Sequence, residues 1–174
     1  MFSAGFGIET AMDMIATEAM RRCVQTVGAS MSLPELERAF VRHGVWGFPV
    51  VNGDRLVGVV SRSDIVRQLD AEHETAKRTS DFYRDANGFH EVSLTTDDQV
   101  EDRIGERMEH LTVSDVMHRH LFAVPPDRPL REVAETMMEN GIHRVLVTRD
   151  GRLLGVISTS DFVRLYAQGQ IKPA

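Results

Sequence analysis

The chain has 174 residues, of which 26% are charged and 42% hydrophobic, and its formal net charge at pH 7 is −6. This length predicts about one domain, and the composition is that of a folded globular protein. An acidic chain argues against a broad nucleic-acid surface and against a polybasic membrane surface, because both need clustered Lys and Arg. Cys23 is the only cysteine, which excludes an internal disulfide and a zinc site with two thiolates.

No targeting or membrane-spanning segment is predicted. Residues 1–14 contain no Lys or Arg and no apolar run of signal-peptide length. Apolar stretches elsewhere are as short as Leu56–Val60, far below the length that crosses a bilayer. We therefore expect a cytoplasmic protein without membrane insertion.

The chain contains two copies of one unit. A displacement of 97 positions aligns Glu18–Leu69 with Asp115–Tyr166 without a gap, and 16 of the 52 aligned pairs are identical. Random pairing would give about three identities. Because some fifty residues are too few for a substantial core, we expect the copies to pack together with pseudo-twofold symmetry as one module.

Each copy begins with a predicted strand and helix. In the first copy the strand is Val24–Val27, and the helix carries Leu33, Leu36 and Phe40 at helical spacing. Ser32 and Glu35 fit a capping box at the start of this helix, whereas Pro129 replaces the serine in the second copy. Glycine ends the helix in both copies, at positions 44 and 141.

A β-hairpin and a last helix complete each copy. In the first copy Phe48–Val51 turns through Asn52-Gly53-Asp54 into Leu56–Val60, and a helix begins near Ser63. The second copy repeats this order with strands at Leu121–Val124, Val145–Thr148 and Leu153–Ile157 and with helices beginning at Leu130 and near Ser160. The predicted fold class is therefore α/β (α+β), with the order β-α-β-β-α in each repeat.

The predicted domain organisation is a first repeat at 13–70, a charged and partly helical linker at 71–110, and a second repeat at 111–170. Residues 71–81 extend the preceding helix in this interpretation, and Val100, Ile104 and Met108 recur four apart. Two interpretations of the linker stay open. It is either a solvated helical connection or an arm used in dimerisation or partner contact.

The best-matched part of the repeat is a Ser-x-Ser-Asp motif at the point where a predicted buried strand ends and a helix begins. Free backbone N–H groups and the positive end of a helix dipole favour a phosphate there, and a carboxylate can accept both hydroxyls of a ribose. The alternative is that the serines are only helix caps and the aspartates only complement the dipole. The motif residues are Ser61, Ser63 and Asp64 in the first copy and Ser158, Thr159, Ser160 and Asp161 in the second.

The repeat resembles a tandem pair of cystathionine-β-synthase (CBS) domains, which is called a Bateman module. The resemblance rests on the pairs Ala19-Met20 and Val116-Met117, on Phe48-Pro49-Val50-Val51, and on the glycine-to-aspartate motifs Gly58–Asp64 and Gly155–Asp161. It covers Glu18–Leu69 and Asp115–Tyr166. Each mark alone is weak, but their order and repetition make the match specific.

The resemblance implies a regulatory module with two clefts between the repeats that bind AMP, ADP or ATP. By the same resemblance, Asp64 and Asp161 would hold ribose hydroxyls, and the neighbouring serines would be hydroxyl donors. Four residues of the first strands would line the adenine pockets, namely Thr26, Val27, Ala123 and Val124.

One feature distinguishes the two copies. The second copy carries His143-Arg144 before its hairpin, a pair similar to the phosphate-contacting pair in the gamma subunit of AMP-activated protein kinase. Arginine offers a planar fork to phosphate oxygens. The first copy has Trp46-Gly47 there, which supplies no charge, so we expect inequivalent sites. The alternative for His143-Arg144 is an exposed corner between helix and strand.

No other set of residues carries a strong signal. His118 and His120 have metal-like spacing but lack a partner ligand in sequence, which favours a pair of solvated histidines and no metal site. Cys23 precedes a predicted strand and is interpreted as a small core residue. The sequence contains no nucleophile-base motif, so we expect no enzymatic activity.

The leading functional hypothesis is a non-enzymatic sensor of adenosine nucleotides. We expect a homodimer, and a regulated enzyme or transporter on a separate polypeptide. The alternative is a structural dimerisation module whose clefts are empty or hold another adenosyl ligand, such as S-adenosylmethionine or NAD.

Overall fold

A computed structural model of the chain describes residues 14–71, 108 and 110–171. Within them each copy forms the predicted β-α-β-β-α order, preceded by a one-turn helix. In chain order the elements are α1 (Ala16–Ala19), β1 (Val27–Gly28), α2 (Leu33–His43), β2 (Gly47–Asn52), β3 (Arg55–Ser61), α3 (62–71 as far as it is described), α4 (Val113–Val116), β4 (Ala123–Val124), α5 (Leu130–Glu139), β5 (Arg144–Arg149), β6 (Arg152–Ser158) and α6 (Thr159–Ala167).

The strands of each copy form one three-stranded sheet, in the order β1-β2-β3 or β4-β5-β6. The first strand runs parallel to the second, and the second and third form the predicted antiparallel hairpin. Both hairpins contain a register shift at the same repeat position, after Val50 and after Val147. The α/β fold class is thereby confirmed, although β1 and β4 are shorter than predicted because only two residues of each pair with the neighbouring strand.

The chain divides into two compact units that do not follow the order of the repeats. The central unit runs from Gln25 to His120, and the terminal unit combines the chain up to Val24 with the chain from Leu121 onward. The helix α4 therefore packs with the body of the first copy, and α1 packs with the body of the second. The domain boundaries at 13–70 and 111–170 follow the repeats along the chain and stay a prediction.

Each unit has its own apolar core, built from the residues that the helical spacing predicts. In α2 the buried residues are Leu33, Leu36 and Phe40. In α5 they are Leu130, Val133 and Met137. The entry helices complete these cores, because Val113 of α4 is buried in the central unit and Ala16 of α1 is buried in the terminal unit.

The predicted helix ends are observed. The backbone N–H and the hydroxyl of Ser32 donate to the Glu35 carboxylate at 3.1 and 2.8 Å, which confirms the capping interaction at the start of α2. Pro129 precedes α5 without such a cap. Gly44 ends α2 with φ of 61°, a conformation that L residues rarely adopt.

Two sequence-based expectations meet different outcomes outside the sheets. Cys23 is exposed, so its interpretation as a core residue is wrong. The physical reason is that β1 begins only at Val27, which leaves Cys23 in the extended segment before the strand. In the linker, Met108 packs against the core of the central unit, whereas Val100 and Ile104 lie outside the described residues. Among the described helices, none has the length and apolar character needed to cross a bilayer.

Candidate functional site

The Ser-x-Ser-Asp motif of the first copy lies at the junction between β3 and α3. Asp64 is buried, with 3% of its surface exposed. Its Oδ2 accepts hydrogen bonds from the backbone N–H of Ser61 at 2.7 Å and from the Ser61 hydroxyl at 2.8 Å. Ser63 is exposed on the first turn of α3. The last residue of β3 is therefore a serine whose backbone N–H and hydroxyl both donate to one oxygen of a buried carboxylate.

The second copy repeats this arrangement between β6 and α6. Asp161 is completely buried, and its Oδ2 accepts from the backbone N–H of Ser158 at 3.0 Å and from the Ser158 hydroxyl at 2.6 Å. The hydroxyls of Ser158 and Ser160 lie 2.9 Å apart, and Thr159 is exposed. The structure thus places a helix-capping interaction at both motifs. The ligand-binding roles of these residues stay a prediction.

The second oxygen of Asp161 is held by two guanidinium groups. Arg21 donates from Nε to Oδ1 at 2.8 Å, and Arg164 donates to the same oxygen at 3.4 Å. Burial is the largest influence on the pKa of Asp161 and raises it, but the hydrogen bonds from Ser158 and Arg21 together outweigh burial and hold this pKa below its usual value. Asp161 is therefore an ionised carboxylate whose two oxygens are both engaged.

The second oxygen of Asp64 has a different set of partners. Its Oδ1 lies 2.9 Å from Nη2 of Arg67 and 2.8 Å from Nε2 of His118. These are ion-pair distances, but within the described residues this buried oxygen has no hydrogen bond of acceptable geometry. The His118 side chain is 53% exposed, in agreement with a solvated histidine, but one face of its ring contacts the buried carboxylate, which the sequence did not predict.

One basic group at each aspartate comes from the entry segment, a contact that the sequence did not predict. His118 follows α4, and its backbone exchanges two hydrogen bonds of 2.9 Å with Val59 of β3. Arg21 follows α1 and pairs in the same way with Val156 of β6. One signal was available, because Arg67 and Arg164 are identical in the repeat and lie one helical turn after the aspartates.

The motif glycines permit this close approach. A Cβ at Gly58 would lie 2.6 Å from the sulfur of Met117 and 2.9 Å from the carbonyl oxygen of His118. A Cβ at Gly155 would lie 2.6 Å from the sulfur of Met20 and 2.7 Å from the carbonyl oxygen of Arg21. Glycine, which has no Cβ, thus allows the entry segment to approach the strand this closely. This approach brings His118 or Arg21 to the aspartate.

The structure brings His143 and Arg144 to the same end of the sheet as the second motif. Arg144 lies directly opposite Ser158 in the β5–β6 pair, so the two side chains lie on the same face of the sheet. The carbonyl oxygen of His143 accepts a hydrogen bond from the backbone N–H of Thr159 at 3.1 Å. Both residues are exposed. In the terminal unit an exposed guanidinium therefore lies beside the start of α6.

The equivalent corner of the central unit has a different chemistry. The guanidinium of Arg62 lies 5.1 Å from the ring centre of Trp46 and 5.7 Å from that of Phe40. It also donates to the carbonyl oxygen of Phe40 at 3.2 Å. Trp46 nevertheless stays 70% exposed. The two copies thus differ at this corner. The first has an exposed indole beside an arginine, and the second has the exposed pair His143 and Arg144.

The residues predicted to line adenine pockets lie at the first strands. Val27 and Val124 are buried in the cores of their respective units. Thr26 and Ala123 are exposed beside them. Within the described part of the chain, no group of three His, Cys, Asp or Glu side chains is placed to hold a metal ion.

Comparison with known proteins identifies what the chain is similar to. The family model for the CBS domain matches residues 15–71 and 113–168. The protein MJ1225 of Methanocaldococcus jannaschii is 26% identical over 149 residues, which are 85% of this chain and 41% of MJ1225. The chain therefore spans less than half the length of this relative.

Solved structures share the fold at low sequence identity. The crystal structure of MJ1225 superposes with a TM-score of 0.66 at 19% identity and covers 89% of this chain and 48% of that one. CBSX2 in complex with AMP gives 0.63 at 22% identity, covering 90% and 98%. The CBS domain pair of MJ0100 with 5′-methylthioadenosine and S-adenosyl-L-methionine gives 0.57 at 17%, covering 90% and 98%.

Proposed function

The chain belongs to the CBS domain family, and we propose that it is a non-enzymatic regulatory module that binds an adenosine nucleotide, AMP, ADP or ATP. CBS domain pairs are generally regulatory rather than catalytic, which supports the first part of this proposal. The adenosyl ligands of CBSX2 and MJ0100 support the second part.

One observation carries the proposal, namely that the chain builds the same buried carboxylate twice beside a helix start. Asp64 and Asp161 are each the last residue of the Ser-x-Ser-Asp motif and the third residue of the helix, with serine donors alongside. A carboxylate at this place is suited to the two hydroxyls of a ribose. Ser61, Ser63, Ser158, Thr159 and Ser160 supply hydroxyl groups for the remaining polar atoms of the ligand.

The phosphate end of the ligand is assigned to His143 and Arg144. Arg144 carries a permanent charge and lies opposite Ser158, next to the first turn of α6. Exposed Thr26 and Ala123 are the residues of the first strands that an adenine ring can reach. A ligand held in this way can act as a signal only if it binds two states of the protein with different affinity.

Calorimetry with AMP, ADP, ATP and S-adenosylmethionine tests the proposal. We expect at least one adenosine nucleotide to bind below the millimolar range. Asp161→Asn should weaken it, and Asp127→Asn at an exposed loop position should not. Binding by none of the four ligands would overturn the proposal, and binding of S-adenosylmethionine alone would change its ligand.

A second candidate, a structural dimerisation module, is favoured by exposed apolar side chains that recur at the same repeat positions. They lie on the second and last helices of both copies. They form the pairs Val41 and Met138, Val66 and Val163, and Leu69 and Tyr166, with exposed fractions between 37% and 82%. Single large apolar residues on a surface are common, but repetition at three matched positions is suited to contact with a second copy.

Light scattering distinguishes the two candidates. A dimer whose stability does not change with nucleotide supports the structural module, whereas a nucleotide-dependent change supports the sensor. Val66→Glu and Val163→Glu each place a negative charge among the exposed apolar residues of one copy. These variants should be monomeric if the apolar residues form the dimer interface. Arg152→Glu, away from these helices, is the control for added negative charge.

A further inference from the structure

The two buried carboxylates are covered by chemically different cations. Asp161 is held by Arg21, and Asp64 by His118. Arg21 and His118 occupy the same repeat position, 97 residues apart, and each follows the entry helix of its unit. Arg164 and Arg67 are also equivalent. Three pairs of equivalent residues meet at these sites, namely Asp64 and Asp161, Arg67 and Arg164, and His118 and Arg21. Only the last pair differs, with an imidazole in place of a guanidinium.

The second oxygens of the two aspartates also differ in their hydrogen bonds. Oδ1 of Asp161 accepts from Arg21 at 2.8 Å and from Arg164 at 3.4 Å. Oδ1 of Asp64 is buried and lacks a hydrogen bond of acceptable geometry among the described residues, although two basic groups lie within 2.9 Å. A ligand hydroxyl that donates to Oδ1 of Asp161 therefore has to replace existing hydrogen bonds. At Oδ1 of Asp64 it competes with two nearby basic groups that make no hydrogen bond of acceptable geometry.

The nitrogen of His118 that faces Asp64 also faces Arg67. Its Nε2 lies 2.8 Å from Oδ1 of Asp64 and 2.9 Å from Nη1 of Arg67. A protonated Nε2 attracts the carboxylate and repels the guanidinium, whereas an unprotonated Nε2 accepts from the guanidinium and repels the carboxylate. The imidazolium and the neutral Nε2–H tautomer therefore donate toward Asp64, whereas the neutral Nδ1–H tautomer accepts from Arg67.

Within the described residues, the charged partners of His118 both lie on α3. Asp64 and Arg67 are the charged groups of α3 that face it, and β3 contributes only the backbone of Val59 at this contact. The neighbouring Arg119 is directed to the carbonyl oxygen of Ser114 at 3.1 Å. A histidine changes charge between about pH 5 and pH 8, and an arginine does not.

On the basis of the proposed function, we propose that His118 is a pH-dependent cover of the Asp64 carboxylate. Protonated His118 occupies Oδ1 and competes with a vicinal diol for it. Neutral His118, as the Nδ1–H tautomer, accepts from Arg67, so among the described residues only the Nη2 of Arg67, 2.9 Å from Oδ1, then competes with the diol for this oxygen. Arg21 keeps its charge at both pH values, so the cover of the Asp161 carboxylate does not change with pH.

Adenosine is the probe for this proposal, because it carries the vicinal diol and has no phosphate that titrates in the same range. We expect wild-type affinity to rise about five- to tenfold between about pH 5.5 and pH 8, the scale of one charge-assisted contact against a neutral one. The control ligand 2′-deoxyadenosine lacks the diol and should show no such rise.

Three variants separate the charge of His118 from its shape. His118→Arg keeps a permanent cation and should bind adenosine weakly at both pH values. His118→Gln is neutral and should bind it tightly at both. Arg21→His should add a second pH-dependent component. Retention of the wild-type pH profile in both His118 variants would overturn the proposal.

The outcomes also distinguish this proposal from the function on which it rests. Failure of wild-type protein to bind adenosine, AMP or ATP at any pH would overturn the proposed function. Binding of adenosine that does not change with pH would leave the proposed function intact and overturn the role of His118. Thermal unfolding of each variant at both pH values verifies that the proteins compared are folded.

Discussion

Arg21 donates a hydrogen bond of 2.8 Å to Asp161, which follows it by 140 residues in the chain. At the equivalent place in the other unit, Nε2 of His118 lies 2.8 Å from Oδ1 of Asp64, an ion-pair distance. Each repeat therefore supplies a basic group to the carboxylate of the other repeat. Within each unit this contact joins two segments that are distant in sequence.

We expect Arg21→Met to destabilise the protein by about 1.5–3 kcal/mol, the scale of a hydrogen bond to a charged group. The reason is that Asp161 is completely buried and that, among the described residues, its Oδ1 would keep only the 3.4 Å contact with Arg164. Urea unfolding measures the change. Arg22→Met is the matched control, because Arg22 is exposed and its hydrogen bonds within the described residues go to Thr17, at 3.3–3.4 Å.

A double-mutant cycle decides whether the pair itself carries this effect. Combined with Asp161→Asn, the substitution at Arg21 should cost much less than it does alone, because the buried charge is then absent. Additive effects of the two changes would contradict the assignment of Arg21 as the partner of Asp161.

Acid should destabilise the protein through Asp161. Its pKa is below the usual value of 3.8 in the folded state, so the unfolded state binds the proton more tightly. The stabilising contribution is therefore complete above the unfolded pKa and is lost as the pH falls through the folded pKa. Unfolding free energy measured from about pH 5 down to pH 2.5 should fall with a smaller slope in Asp161→Asn than in wild type.

The remaining acid dependence has identified sources. The hydroxyl and backbone N–H of Ser32 lower the pKa of Glu35, and those of Thr112 lower the pKa of Asp115. Both carboxylates belong to capping interactions at the surface and should keep a residual slope in Asp161→Asn. A slope equal to that of wild type in this variant would contradict the role assigned to Asp161.

The sequence predicts the local parts of this structure well. The helical spacing of Leu36 and Phe40, the Ser32–Glu35 cap and the left-handed glycine at position 44 all depend on residues within one turn of each other, and all are observed. Repetition of the Ser-x-Ser-Asp motif also identified the two carboxylates that the fold buries.

The long-range parts were not predictable from one sequence. Nothing near Arg21 or His118 in the chain indicates that each lies against the aspartate of the other repeat. Cys23 was wrongly interpreted as a core residue, and the contact of His118 with Asp64 was not predicted, because local pattern cannot tell where an extended segment packs. The close contacts of Gly58 and Gly155 explain afterwards why the motif begins with glycine in both copies.

Alanine at either motif glycine should destabilise the protein by about 1–3 kcal/mol, the usual cost of overpacking. The added Cβ would lie within 2.9 Å of a backbone carbonyl oxygen, at His118 for Gly58→Ala and at Arg21 for Gly155→Ala. Gly28→Ala is the control, because no atom lies within 4 Å of a Cβ there. Thermal unfolding should show a lower midpoint for the first two variants only.

The consequence at the aspartates provides a second measurement for these glycine variants. Displacement of the entry segment should move His118 or Arg21 away from its carboxylate, so Gly58→Ala should also change the NMR chemical shifts of the His118 imidazole. An unchanged His118 signal in a destabilised Gly58→Ala protein would separate the packing effect from the positioning effect and contradict the latter.

Arg144 should set the affinity for phosphate and leave the affinity for the nucleoside unchanged. It lies opposite Ser158 at the end of the sheet where α6 begins, exposed and permanently charged. Arg144→Gln should weaken AMP about tenfold, the scale of one charge-assisted hydrogen bond, and should leave adenosine binding within about twofold. Arg149→Gln is the matched control, because it makes the same change of charge at the other end of β5, away from the motif. This variant should bind both ligands like wild type. An equal loss of AMP and adenosine in Arg144→Gln would contradict the assignment, because the side chain would then act on the fold of the site rather than on the phosphate.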